Sequence, residues 1–331
     1  MKLISEHMGR IIASLAAIAC VIALISLFSP SVGDFYLSVV GKSNDVAYSI
    51  LEELDEFDLT DDSDSSIPNL LMAGPDFQTV ISPIQNDVAG VIVVTSIPDL
   101  SGITAYDVSD ASDGSVMAWV EGDTLYIGAN GKVVANPDSS YLFANFTDVA
   151  EWTVADLDTS QVTNMSHLFF KSSTSRYFVV NGLDGWNTSN VTNMDYAFAA
   201  TDDSSYTSVR IVDLGDLSTW ETGNVTSMAH MFHQLGYASE NVTLGDLSGW
   251  DVSGVKDMSY MFYGVGRSAR ALDLGDLSQW QTGSAENMEY MFFGTGERCS
   301  FTLDLSGWDV SSVTNNTNFV NSRATYIVSP F

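Results

Sequence analysis

From Leu157 onward the apolar positions fall into a pattern that recurs through the rest of the chain. Five copies read LDTSQVTNMSHLFF from Leu157, WNTSNVTNMDYAFA from Trp186, WETGNVTSMAHMFH from Trp220, WDVSGVKDMSYMFY from Trp250 and WQTGSAENMEYMFF from Trp280. A sixth, WDVSSVTNNTNFVN from Trp308, loses the methionine and then the phenylalanine, as a terminal unit would. Counting from the Trp as zero, Val191, Met194 and Phe198 lie at +5, +8 and +12, and this spacing predicts one face of a short helix. Thr192 and Asp195 are placed to cap its start. Leucines at −6 and −3, such as Leu214 and Leu217, predict an extended segment before each Trp. Self-similarity every 28 to 34 residues then predicts an α/β, leucine-rich-repeat-like solenoid of about six repeats over residues 139–331, each burying its apolar face against its neighbours.

The pattern changes upstream. Between Gln78 and Asn136, VAGVIVVTSI, ITAYDV, SVMAWVE, TLYIG and KVVA are short runs of β-branched and aromatic residues. They are separated by Glu121-Gly122-Asp123 and by Asn130-Gly131, a two-residue hairpin signal. Residues 78–138 therefore predict a small antiparallel β-rich unit that caps the first repeat, with SSYLF, ending at Phe143, as a helical half-repeat where cap becomes solenoid. Residues 31–77 predict a stalk. Val46, Ile50, Leu54 and Phe57 recur at helical spacing, and eight acidic residues between Glu52 and Asp64 make an extended, self-repelling linker. Residues 1–30 predict a transmembrane anchor. IIASLAAIACVIALISLF runs 18 residues from Ile11 without a charge, with Lys2 and Arg10 before it and no basic residue after it until Lys42. That asymmetry puts the rest of the chain outside the membrane. A cleaved signal peptide leading to secretion and a pilin-like packing helix are the competing readings, although no A-x-A-like site follows the run.

Composition narrows the function classes. Against 42 Asp and Glu stand only 12 Lys and Arg, a formal net charge of −30, which excludes a nucleic-acid partner and disfavours anionic lipid surfaces. The acidity fits a solvated extracellular face, a cation-collecting surface or a high-salt habitat. Cys20 and Cys299, far apart in the chain, do not suggest a disulfide. Asp216, Asp246, Asp276 and Asp304 each lie at −4 from a Trp, so stacking predicts a carboxylate ladder. Such a ladder serves as turn caps or collects calcium, the one cofactor to consider. His167 and His230 share +10 and His233 follows at +13, with no cysteine nearby to complete a zinc site. No Gly-x-Ser-x-Gly elbow occurs, so a non-enzymatic role is expected. The Trp, Met and Phe stripes read as core. Ligand contact is expected instead in the loops of unequal length, which hold most of the positive charge: Lys171, Arg176, Arg210, Arg267 and Arg270.

LDLSGWDVSSVTN from Leu303, MSYMFYG from Met258, DGSVMAWVEGDTLYIGANGKV from Asp113 and SSYLF from Ser139 resemble the BspA-like leucine-rich-repeat surface proteins over roughly residues 100 to 320. The resemblance implies a surface-exposed or secreted microbial protein that adheres to an extracellular protein or glycan. The chain departs from that family in Gly-rich insertions such as YGVGRSARALDLGDL and in mostly lacking the cysteine after the Met-Phe segment. Specificity and binding residues therefore do not carry over. The expectation is a membrane-anchored adhesive surface protein, with a subunit of a pilus or other surface assembly, or a calcium-binding extracellular module, as alternatives.

Overall fold

The computed structural model describes residues 67–172, 176–201, 209–299, 302–321 and 326–331. The anchor of residues 1–30 and the stalk helix from Asn44 lie outside the described residues. Among those described, no helix is long and apolar enough to cross a membrane. The structured region begins before the boundary drawn at residue 77. Leu71 is fully buried, its N–H donates to Val134 O at 2.8 Å, and α1 (Gly74–Ile81) packs Phe77 and Ile81 into the core. Pro75 in the first turn favours the helix start there, and the acidic composition just upstream had masked this short apolar stretch.

Five strands follow: β1 (Gly90–Val94), β2 (Ala105–Asp107), β3 (Val116–Glu121), β4 (Thr124–Ala129) and β5 (Val133–Val134). Then come β6 (Glu151–Thr153), β7 (Leu157–Asp158), β8 (Tyr177–Asn181), β9 (Ile211–Asp213), β10 (Asn241–Thr243), β11 (Leu303–Asp304) and β12 (Ile327–Val328). Eight of them form one sheet in the order β10-β9-β8-β6-β1-β4-β3-β2. The cap is thus mixed, not purely antiparallel. The β2-β3-β4 meander is antiparallel, but β1 lies parallel to both β4 and β6, so cap and repeats share a continuous sheet. The tight hairpin is Gly122-Asp123, closing Glu121 against Thr124 with Gly122 at φ 65°. Asn130-Gly131 ends β4, and the chain moves on to β5, which pairs with β7. β11 and β12 form a separate parallel pair.

From β6 on, each repeat adds one rung. Parallel bridges join the +7 positions in sequence: Asp138 to Asn164, Asn193, Ser227, Asp257, Asn287 and Asn315. The Trp, Val, Met and Phe positions point inward; Trp220 is 3% exposed, and Val225, Met228 and Phe232 are 0%. Each repeat Trp donates its indole N–H to the −3 carbonyl one rung back, Trp220 to Leu183, Trp250 to Leu217, Trp280 to Leu247 and Trp308 to Leu277, at 2.8 to 3.0 Å. The leucines at −3 open short 3-10 turns, Leu183–Gly185, Leu217–Thr219 and Leu277–Gln279.

The helix expected from Val191 to Phe198 and its equivalents does not form. Among the described residues the α-helix is confined to α1. At +10 the backbone is left-handed in every rung: Tyr141, His167, Tyr196, His230, Tyr260, Tyr290 and Asn318 have φ between 52° and 58°. A left-handed residue breaks the α-helical ladder. Alternate N–H groups instead donate to the next rung, Met194 to Ser227, Tyr196 to Ala229 and Phe198 to Met231, while those between close turns, Ala197 to Met194 and Ala199 to Tyr196. SSYLF is the first such rung, not a half-helix. Nor do Thr192 and Asp195 cap each other. The Thr192 hydroxyl donates to Thr163 O, and Asp195 accepts from the Ala229 N–H at 2.8 Å and from the Ser227 hydroxyl.

Candidate interaction surface

Three sets of polar or aromatic side chains reach the surface of the rungs. The first is the aspartate ladder. Asp216, Asp246, Asp276 and Asp304 are exposed, and each Oδ1 accepts the N–H two residues on, from Ser218, Ser248, Ser278 and Ser306, at 2.9 to 3.0 Å. Hydrogen bonds from the hydroxyl and N–H of Ser278 and of Ser306, and from the N–H and hydroxyl of Ser218, hold Asp276, Asp304 and Asp216 below the usual carboxylate range. Two of the carboxylates, Asp216 and Asp246, also pack against the glycine at −5 of the next rung. A Cβ at Gly245 would lie 2.6 Å from Asp216 Oδ1 and one at Gly275 would collide with Asp246 Oδ1; both glycines have positive φ, 79° and 76°. One oxygen of each aspartate is thus committed to its own turn. Among the described residues, no three His, Cys, Asp or Glu side chains converge as a metal site.

The second set is the sparse positive charge. Arg270 pairs with Glu240 at 2.7 Å and Arg210 reaches the same carboxylate at 3.9 Å, so −10 positions of three successive rungs alternate in sign. Arg267 pairs with Glu297, donates to the Tyr237 hydroxyl and lies over the Tyr237 ring at 5.1 Å. Lys171 sits 5.0 Å over Phe170 and Arg176 5.6 Å over Tyr177. The structure brings Arg176, Arg210 and Arg270 together with Glu240 on one edge, at −10 of four successive rungs, where the Arg210 N–H donates to Arg176 O, the Glu240 N–H to Arg210 O and the Arg270 N–H to Glu240 O at 2.8 to 2.9 Å. Each of the five cations is engaged locally, and those on the later rungs brace one rung against the next.

The third set was missed by reading the sequence. The +10 side chains stack face to face in an unbroken rail: Tyr141 on His167, then Tyr196, His230, Tyr260 and Tyr290, with centroids 4.4, 4.7, 4.3, 4.5 and 4.9 Å apart and planes within 16°. The cause is local. A left-handed backbone turns each ring outward, and bridges between rungs repeat at roughly the 4.7–4.9 Å spacing of paired strands, so rings at one offset must stack. Tyr141 is 37% exposed, and the other five are half-buried, with their faces covered by one another. Beside them run the +13 residues, where His233, Tyr263 and Phe293 widen the rail into two rows. Asp257 and Glu289 lie close enough to act electrostatically on His230 and Tyr260 respectively. The aromatic at +10 in all five full copies was the available signal, but a helical reading gave it no special face.

A groove of about 450 Å³ passes Trp280 between Ser253, Gln281 and Asp309. No curated protein and no solved structure matches the chain. A family model described as "Mycoplasma protein of unknown function, DUF285" matches residues 138–264 and, overlapping, residues 206–327. The matched span begins at the first bridge of the stack, and its doubling reflects the repeat.

Proposed function

The chain belongs to DUF285, a repeat family that covers more than half of its 331 residues, and we propose that within it this is a membrane-anchored, non-enzymatic surface protein of the BspA-like kind. In this reading its rungs form a leucine-rich-repeat-like solenoid that binds a protein or glycan outside the cell. The observation that carries it is the aromatic rail. Six rings, five of them half-buried, fixed on six successive rungs of a scaffold of buried Trp, Met and Phe, form a rigid amphipathic strip that costs little entropy to engage. The apolar run of residues 11–28 behind Lys2 and Arg10 supports the anchor, and the charge of −30 supports a solvated exterior.

The test is solid-phase binding of the full chain to panels of extracellular matrix proteins and glycans. Tyr196→Ala and Tyr260→Ala, with circular dichroism confirming the fold, are expected to weaken binding about tenfold or more, as interface tyrosines do, while Arg270→Ala leaves it unchanged. Rail variants that bind like the parent, with loss only on arginine replacement, would move recognition to the loops. Failure of the parent to bind any panel member would remove the adhesive reading.

A further inference from the structure

The rail contains one rung unlike the others. The +10 and +13 residues are His167 and Phe170, Tyr196 and Ala199, His230 and His233, Tyr260 and Tyr263, and Tyr290 and Phe293. Only the rung of Trp220 pairs two imidazoles. The Nδ1 atoms of His230 and His233 lie 3.0 Å apart. Both rings are held from outside the pair. His230 is clamped between Tyr196 and Tyr260 at 4.3 and 4.5 Å with planes 6° apart, and His233 meets the edge of Tyr263 at 4.9 Å. The turn that closes them is the His233 N–H to His230 O bond of 3.0 Å, with His230 at φ 58°.

We infer that His230 and His233 form a bidentate site for a divalent transition metal, copper(II) or nickel(II), bound through the two Nδ1 atoms. Imidazole nitrogens bind such ions at about 2.0–2.1 Å, so a 3.0 Å separation subtends about 95° at the metal. That is the cis angle of a square-planar or tetragonal centre. A tetrahedral ion such as zinc would need the nitrogens about 3.3 Å apart. With no metal, one Nδ1–H donates to the other Nδ1. Binding moves that proton to the donor's own Nε2, so two neutral imidazoles present two lone pairs without net proton release.

The chain as a whole carries a formal net charge of −30, which enriches divalent cations near it. Asp257 stands nearby but is occupied: Oδ1 accepts the Ser259 N–H at 2.8 Å and Oδ2 the Asn287 amide at 3.3 Å. No third His, Cys, Asp or Glu joins the pair among the described residues.

The repeats supply fold-preserving variants. His230→Tyr installs the residue found at +10 in Tyr196 and Tyr260, and His233→Phe the one found at +13 in Phe170 and Phe293. Copper(II) is titrated into the full chain and followed by electron paramagnetic resonance. The parent is expected to take up one equivalent with nitrogen hyperfine structure from two equatorial imidazoles. Each variant should bind about tenfold or more weakly and lose that signature, while His7→Gln and His167→Tyr retain it. A parent spectrum with oxygen ligands only, as from scattered carboxylates, would overturn the site. So would unchanged binding in His233→Phe or loss confined to the two control variants, which would leave the Nδ1 pair as a shared proton.

Discussion

The left-handed residue at +10 sets much of the surface chemistry. Six aromatic residues and Asn318 occupy a backbone region that ordinarily favours glycine, a local strain offset by the N–H of each full rung, from Tyr141 to Tyr290, donating into the next rung. Within the rail His230 is the titrating group whose environment departs most from water. Its folded pKa, lowered by burial to about 4, lies below the unfolded value of about 6.5. The unfolded chain therefore takes up the proton first as pH falls. The stability associated with a neutral His230 is present above pH 6.5, is lost between pH 6.5 and about 4, and changes no further below that. Urea denaturation of the parent and of His230→Tyr across that window should show midpoints that diverge as pH falls, with the parent losing more. Parallel curves would mean that His230 is solvated. The Trp, Met and Phe stripes were legible in the sequence because burial requires apolar side chains at fixed offsets. The rail was not, because Tyr and His carry no mark of a positive φ as glycine does.

At the scale of the rung, an Asx side chain at +7 recurs as a turn cap. Asp138, Asn164, Asn193, Asp257, Asn287 and Asn315 each accept the N–H two residues on. Ser227 breaks the series, and Asp195 from the preceding rung fills the gap by accepting from Ala229 N–H and the Ser227 hydroxyl. Burial raises its pKa despite those bonds. Asp195→Ala should therefore destabilise by about 1 kcal/mol, the cost of leaving a partly buried donor unmade, and adding Ser227→Asn should recover most of it. Urea midpoints of the single and double variants measure this, and additive losses would refute the substitution of one cap by another. Spacing alone could not separate this stack of turns from a helix, since residues at +5, +8 and +12 face inward in either. The mixed sheet was equally hidden: β1 joins β4 and β6 through contacts remote in sequence, whereas the β3–β4 hairpin was signalled locally by Gly122-Asp123.

Across the molecule, 42 acidic residues against 12 basic ones leave repulsion that the ion pairs Arg270–Glu240, Arg267–Glu297 and Lys256–Glu286 relieve only in part. Raising salt from about 0.02 to 0.5 M, which shortens the screening length to a few ångströms, should raise the melting temperature by several degrees. A flat or falling profile would show that local pairs dominate. The indole hydrogen bonds carry a consequence of another kind. Each Trp reaches one rung back, and each +8, +10 and +12 N–H reaches one rung forward. The +8, +10 and +12 donors of a rung are thus satisfied by polypeptide that follows it, while its +6 N–H, as from Thr226 to Thr192 O, reaches back. When the chain emerges N-terminus first from a ribosome or a membrane pore, the advancing end always exposes the donors that the next segment must satisfy. Each arriving Trp then locks the rung behind it, so the stack is completed in the order in which the chain emerges.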